Sequence, residues 1–182
     1  TDTAIESMTS GDMVGENTII ISTQNGIDSE PLLSKAFGVE RVLGCTATVS
    51  AMIAEPGVVD QPGGPGSLVI GEMPALQNAE STASDRVTAL VECCVSAGLA
   101  AEAHDNIELA LWQKFIFICA LSGMTALTRK PIGEIFAKEP TTEMYLQVLS
   151  EVAAIGRAEG VDLPESTATA MLAGTQAREP FI

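Results

Sequence analysis

The clearest apolar pattern near the start of the chain is Asn17-Thr-Ile-Ile-Ile-Ser-Thr23, a continuous β-branched run. Such a run suits a parallel strand covered on both faces. A short helix over Asp2 to Met13 precedes it. Gln24-Asn25-Gly26 makes a turn, and Ser29 or Glu30 opens a helix to about Phe37. Strand, turn and helix in that order form half of a βα unit. The texture then changes. Arg41 to Ala54 reads as one long strand, and Val58 to Gln61 and Ser67 to Met73 as two shorter ones. Pro56-Gly57 and the Pro62 to Gly66 loop separate them, so an antiparallel meander joins the parallel sheet. Pro74 to Ser84 is loop-like. Val87, Leu90, Val91, Cys94 and Val95 give Asp85 to Ala97 helical periodicity, and Gly98 ends it.

From Asp105 onward the pattern is helical throughout. Leu109 to Leu121 is apolar nearly all round, the mark of a buried helix, and Asp105 is placed to cap it. A break falls around Arg129 to Gly133, and Ile132 to Lys138 forms a short helix. Thr141 or Thr142 caps a longer one, Glu143 to Glu159, stopped by Gly160. A last helix starts at Leu163-Pro164-Glu165. The fold class is therefore α/β followed by all-α, with a mixed domain over 1–103 and a helical domain over 104–182.

A chain of 182 residues with net charge −15 has apolar content enough for a core. The charge argues against a nucleic-acid-binding surface. The Leu109 to Leu121 run is too short to span a bilayer, so no membrane partner is expected. The polar, acidic start carries no signal-peptide pattern. The cysteines, Cys45, Cys93, Cys94 and Cys119, form no Cys-x-x-Cys pair, and His104 is the only histidine, which disfavours a zinc site. All four lie in apolar segments, as reduced buried cysteines do, which suits a cytoplasmic protein.

Within the apolar helix stands one lysine, Lys114. A buried ammonium is costly unless something pairs with it or uses it, and lysine shifts its pKa readily when desolvated. Lys114 is the first candidate for proton transfer; the alternative is a lysine that snorkels to the surface on its long stem. At roughly 100° per residue, Lys114, Ile118, Leu121, Ser122 and Thr125 share one helix face. That face suits the lining of a cleft. Ser122 and Thr125 equally suit bonds to their own helix carbonyls. Asn25 follows a parallel strand, where ligands of open α/β sheets bind, although Asn-Gly is also a common turn pair.

Several segments together resemble one family. Thr23-Gln-Asn-Gly26, Phe37-Gly-Val-Glu-Arg-Val-Leu-Gly44, Pro56-Gly-Val-Val59, Leu68-Val-Ile-Gly-Glu72 and Trp112-Gln-Lys114 with Thr125-Ala-Leu127 occur in the order seen in ketopantoate reductases (2-dehydropantoate 2-reductases). The resemblance implies a Rossmann-type domain that holds NADP(H), followed by a helical domain that closes over a small 2-oxo acid. It implies that Lys114 is the general acid, that Asn25 lies near the nicotinamide and substrate, and that Ser122, Thr125 and Ile118 are substrate contacts. The reaction would be reduction of ketopantoate to pantoate, a step of pantothenate and coenzyme A biosynthesis, or of a related 2-oxo acid.

Three departures from the family stand out. The chain has no Gly-x-Gly-x-x-Gly phosphate loop; Gly63, Gly64 and Gly66 are expected in a hairpin loop. Ile118 and Ser122 stand where the family carries asparagines. A downstream family glutamate is absent. The first and third of these suggest a piece that starts midway through the Rossmann-type domain, ends before the last helices and is itself inactive. The other reading is an inactive helical interaction or oligomerisation module, whose apolar helices would pair across a homodimer.

Overall fold

The computed structural model describes residues 1–62, 66–77 and 83–177. The chain divides into two compact units, Thr1–Leu111 and Trp112–Ile182. The division falls within a helix rather than at the 103/104 boundary read from composition.

The first unit contains α1 (Asp2–Ser10), β1 (Ile20–Ile21), α2 (Ser29–Phe37), β2 (Val42–Thr48), β3 (Met52–Glu55), β4 (Val58–Asp60), β5 (Ser67–Glu72), α3 (Asp85–Ser96) and β6 (Ala100–Ala103). Its main sheet has the order β1-β2-β5-β6. β1 runs parallel to β2, β5 runs antiparallel to β2, and β6 runs parallel to β5. The period of two along β2 sorts its side chains between two cores. Val42 joins Ile20 and Leu33 on the α2 side, with Ile5 and Met8 of α1 packed against them. Leu43 and Cys45 join Ile70 and Val87 on the α3 side.

The second unit begins within α4 (Ile107–Thr128) and continues with α5 (Ile132–Phe136), α6 (Glu139–Ala158) and α7 (Thr167–Gln176). Its buried residues include Trp112, Ile116, Ala120 and Met124 of α4 and Tyr145, Leu149, Ala153 and Gly156 of α6. Spacings of three and four put each set on one helix face.

Several expectations need correction. The long strand Arg41 to Ala54 is two strands, and β3 leaves the main sheet to pair only with β4. The meander is thus divided, and the Pro62 to Gly66 loop joins strands of different sheets; Gly63 and Gly64 themselves lie outside the described residues. The ladder of β1 is two residues long, not the whole run. β6, an Ala-Ala-Glu-Ala segment, was not expected at all. Asn106 caps α4, its Oδ1 accepting the Leu109 N–H at 3.1 Å, in place of Asp105. α6 opens earlier than expected, at Glu139 with Pro140 in its first turn. The hydroxyls of Thr141 and Thr142 instead donate to the Lys138 carbonyl, at 2.9 and 3.1 Å.

The largest correction concerns α4. At 22 residues it is long and apolar enough, by length and composition alone, to cross a membrane. It is also not buried all round: Gln113, Ser122, Gly123, Ala126 and Leu127 are exposed, Leu127 at 73 %. Apolar composition permits burial but does not compel it. Ile116, Ala120 and Met124 pack as the residues of a core helix do.

Candidate active site

The loop after β1 is shaped by a small polar cluster. Gln24 Oε1 accepts from Ser29 Oγ and from Thr1 Oγ1, each at 3.2 Å. The Gln24 N–H reaches Ser22 Oγ at 3.3 Å. Gly26 has φ +111°, a backbone region that side chains disfavour, which explains the glycine of the Asn-Gly pair. Between these anchors the Asn25 side chain is exposed, at the carboxyl end of a parallel strand. Its amide holds no hydrogen bond among the described residues and is free to meet a ligand.

In the other unit, Lys114, Ile118, Leu121 and Thr125 are half-buried along one side of α4, and Ser122 beside them is exposed. The four polar and apolar candidates of that helix thus lie together, whereas Asn25 belongs to the first unit. Lys114 is half-buried, between the buried lysine and the one that snorkels to the surface. Thr125 Oγ1 donates to the Leu121 carbonyl at 2.7 Å, so its proton is committed and only its lone pairs remain for a ligand. Ser122 keeps an accessible hydroxyl, and Ile118 offers only apolar surface.

The structure adds residues that the pattern did not single out. Glu30, in the first turn of α2, is 1 % exposed, and neither carboxylate oxygen has a hydrogen-bond partner. Burial pushes its pKa up. Glu72, the acidic end of the Ile-Gly-Glu segment, accepts from Ser84 Oγ at 2.6 Å and from Arg86 Nε at 2.6 Å. Arg86 also pairs through Nη2 with the second Glu72 oxygen and through Nη1 with the Glu40 carbonyl. Burial raises the Glu72 pKa, but the bonds from Arg86 and Ser84 outweigh it and hold the carboxyl below its ordinary value. The preceding Gly71 faces Gly44 across the β2–β5 ladder. A Cβ on either would lie within 2.8 Å of Ile107, so these glycines let the first turn of α4 sit on the sheet. The Ile-Gly-Glu segment is thus structural: its glycine admits a helix and its glutamate ties α3 to the sheet. His104 also serves that junction, its Nδ1 accepting the Asn106 N–H at 3.0 Å.

Comparison with known proteins agrees with this architecture. Residues 1–75 match the family described as ketopantoate reductase PanE/ApbA. Residues 106–180 match the description ketopantoate reductase PanE/ApbA C terminal. An uncharacterized oxidoreductase, YkpB of Bacillus subtilis, is 30 % identical over 150 residues, 81 % of this chain and 47 % of that protein. A 2-dehydropantoate 2-reductase of Mesorhizobium japonicum is 26 % identical, over 84 % of this chain and 51 % of that protein. The crystal structure of 2-dehydropantoate 2-reductase from Geobacter metallireducens superposes with a TM-score of 0.83 at 26 % identity, covering 100 % of this chain and 59 % of that one. The chain spans about half the length of the curated relatives it matches. With the mixed sheet, the loop after β1 and the lysine-bearing helix in the same order, the chain belongs to the ketopantoate reductase family of oxidoreductases.

Proposed function

We propose that the protein to which this chain belongs reduces a small 2-oxo acid, ketopantoate or a relative, with NADPH, as a cytoplasmic enzyme. The observation that carries this reading is the half-buried Lys114 on α4, in line with Ile118, Ser122 and Thr125, in a chain of this family. When bound, NADPH supplies the hydride. The exposed Asn25 loop at the end of β1 fits the nicotinamide end of such a cofactor. The sequence holds no Gly-x-Gly-x-x-Gly phosphate loop. NADPH in preference to NADH follows from the family resemblance alone.

Reduction of a ketone develops negative charge on its oxygen. The Lys114 ammonium stabilises that charge and then donates its proton to the alkoxide. Asn25 orients the reacting groups through its amide. Ser122 bonds a polar group of the substrate, Thr125 accepts a hydrogen bond there, and Ile118 forms an apolar wall that favours a substrate with a bulkier apolar group. The acid's carboxylate and the ammonium attract each other as well, which helps the substrate bind despite the acidic surface.

The test is 2-oxo-acid-dependent NADPH oxidation by the full-length protein, beside Lys114→Ala. The expected loss in kcat is about 10²- to 10⁴-fold with the fold intact. Equal turnover by the variant removes Lys114 from the chemistry. NADPH binding by the parent without turnover of any 2-oxo acid overturns the substrate class. Absence of both turns the reading toward a helical interaction or oligomerisation module.

A further inference from the structure

Lys114 projects from a helix, so its direction is set by how that helix is turned, and a close contact near the lysine bears on that turn. Trp112 is 6 % exposed, and its ring packs edge-to-face with Phe115 at 5.7 Å between centroids. The other side of the indole lies against the backbone of α6 at Gly156. A Cβ there would come within 2.8 Å of Trp112 Cε3, 3.2 Å of Cζ3 and 2.6 Å of Leu163 Cδ1. Real Cβ atoms do not approach so closely; the Leu163 methyl can give way, whereas the second obstacle is a rigid ring. Gly156 and Leu163 thus form a seat that accepts this ring and nothing added to it. Two residues on, Lys114 is roughly 200° around the helix from Trp112. With the indole held on α6, Lys114 is turned to the opposite side of α4, where it is half-exposed.

We infer that Gly156, with Leu163 behind it, is a positioning site for Lys114: the seat that receives the Trp112 indole sets the rotation of α4 and hence the direction of the ammonium. Gly156 touches no substrate in this account; it acts through Trp112. The inference rests on the proposed reductase reading for its catalytic consequence, but not for its geometry. A methyl group at Gly156 forces the ring outward. The helix then rolls or slides, and Lys114 moves with it. Catalysis by positioned groups is sensitive to such shifts, because about 1 Å of misplacement can cost roughly a hundredfold in rate.

Trp112 is the single tryptophan of this sequence, and its fluorescence reports the seat. The direction of Lys114 is read by its rate of acetylation with acetic anhydride, followed by mass spectrometry, with Lys35, Lys130 and Lys138 as internal controls. In full-length protein, Gly156→Ala is expected to shift the Trp112 emission. It should also change the Lys114 acetylation rate relative to the other lysines. In turnover, kcat should fall by roughly tenfold or more while the KM for cofactor holds. Adding Trp112→Phe, which makes room for the methyl group, should restore the Lys114 rate and much of kcat. An altered emission with unchanged Lys114 acetylation overturns the inference, and so does a lack of rescue by the smaller ring. Should Gly156→Ala fail to fold, Trp112→Leu removes the ring and keeps an apolar side chain; an unchanged Lys114 rate there also overturns it. A wild-type protein that reduces no 2-oxo acid defeats the reductase reading alone, since acetylation still decides the seat.

Discussion

Glu30 shows how much one side chain can conceal from the sequence. It stands among polar residues, Asp28-Ser29-Glu30, and nothing in its neighbours marks it as buried. Its burial is a property of how α2 packs, so it emerges only in three dimensions. Lys114 is the converse: an ammonium in an apolar run is conspicuous on sight, although the run overstated its burial. The place of Asn25 in the chain was legible: it stands in the turn after a parallel strand, as the pattern predicted. The Glu30 carboxyl carries a pH consequence. Burial favours its neutral form, so the folded chain holds that proton more tightly than the unfolded chain. Stability contributed at this site is therefore present at acid pH. It falls as pH rises through the ordinary carboxylate range and is gone above the raised folded value. Glu30→Gln keeps the shape and removes the charge. Its stability relative to wild type, from denaturant titrations at several pH values, should grow toward neutrality to about 1–3 kcal/mol. A difference that stays constant with pH would show that Glu30 is not desolvated.

Among the elements, those with strong periodicity and ordinary ends were read correctly. α2 begins at Ser29 and ends at Phe37 as expected, and α3 occupies nearly all of its forecast span. β6 was invisible because alanine and glutamate carry no strand preference; it forms because β5 offers a parallel edge beside it. The long strand was misjudged because β-branched residues continue through Val49 while the chain changes sheets. The start of α4 was placed one residue early in its cap, since Asp105 and Asn106 are both good N-cap residues and only geometry separates them. That geometry makes a prediction. Asn106→Ala should destabilise the first unit by about 1 kcal/mol, whereas Asp105→Ala should leave it nearly unchanged. Chemical denaturation of both variants checks this, and the reverse order would restore Asp105 as the cap.

For the whole chain, charge is the dominant long-range term. The sequence has 24 acidic and 9 basic residues, a net charge of −15, so repulsion between carboxylates outweighs attraction on average. Among the described residues, the ion pairs Lys130–Glu134 and Arg157–Glu165 involve exposed partners and offset little of this repulsion. Added monovalent salt shortens the Debye length from about 10 Å at 0.1 M to about 3 Å at 1 M. The melting temperature should accordingly rise with potassium chloride, by about 2–4 °C for each kcal/mol of repulsion relieved. A flat or falling curve would mean that attractive pairs, not repulsion, dominate the surface. The two-part fold class was legible from the change of texture after residue 100, where strand patterning gives way to helix.

The glycines beneath Ile107 bear on how this chain can vary over time. Gly44 and Ile107 share one volume, and neither can grow unless the other shrinks; Gly71 is pinned by the His104 backbone oxygen, which stands too close to where its Cβ would be. A single replacement at Gly44 is thus a dead end, while Gly44→Ala joined to a trimmed residue at 107 is not; at Gly71 no trimming clears the backbone. Positions 44 and 107 should drift together or not at all, although they are 63 residues apart in the chain, while position 71 should stay glycine.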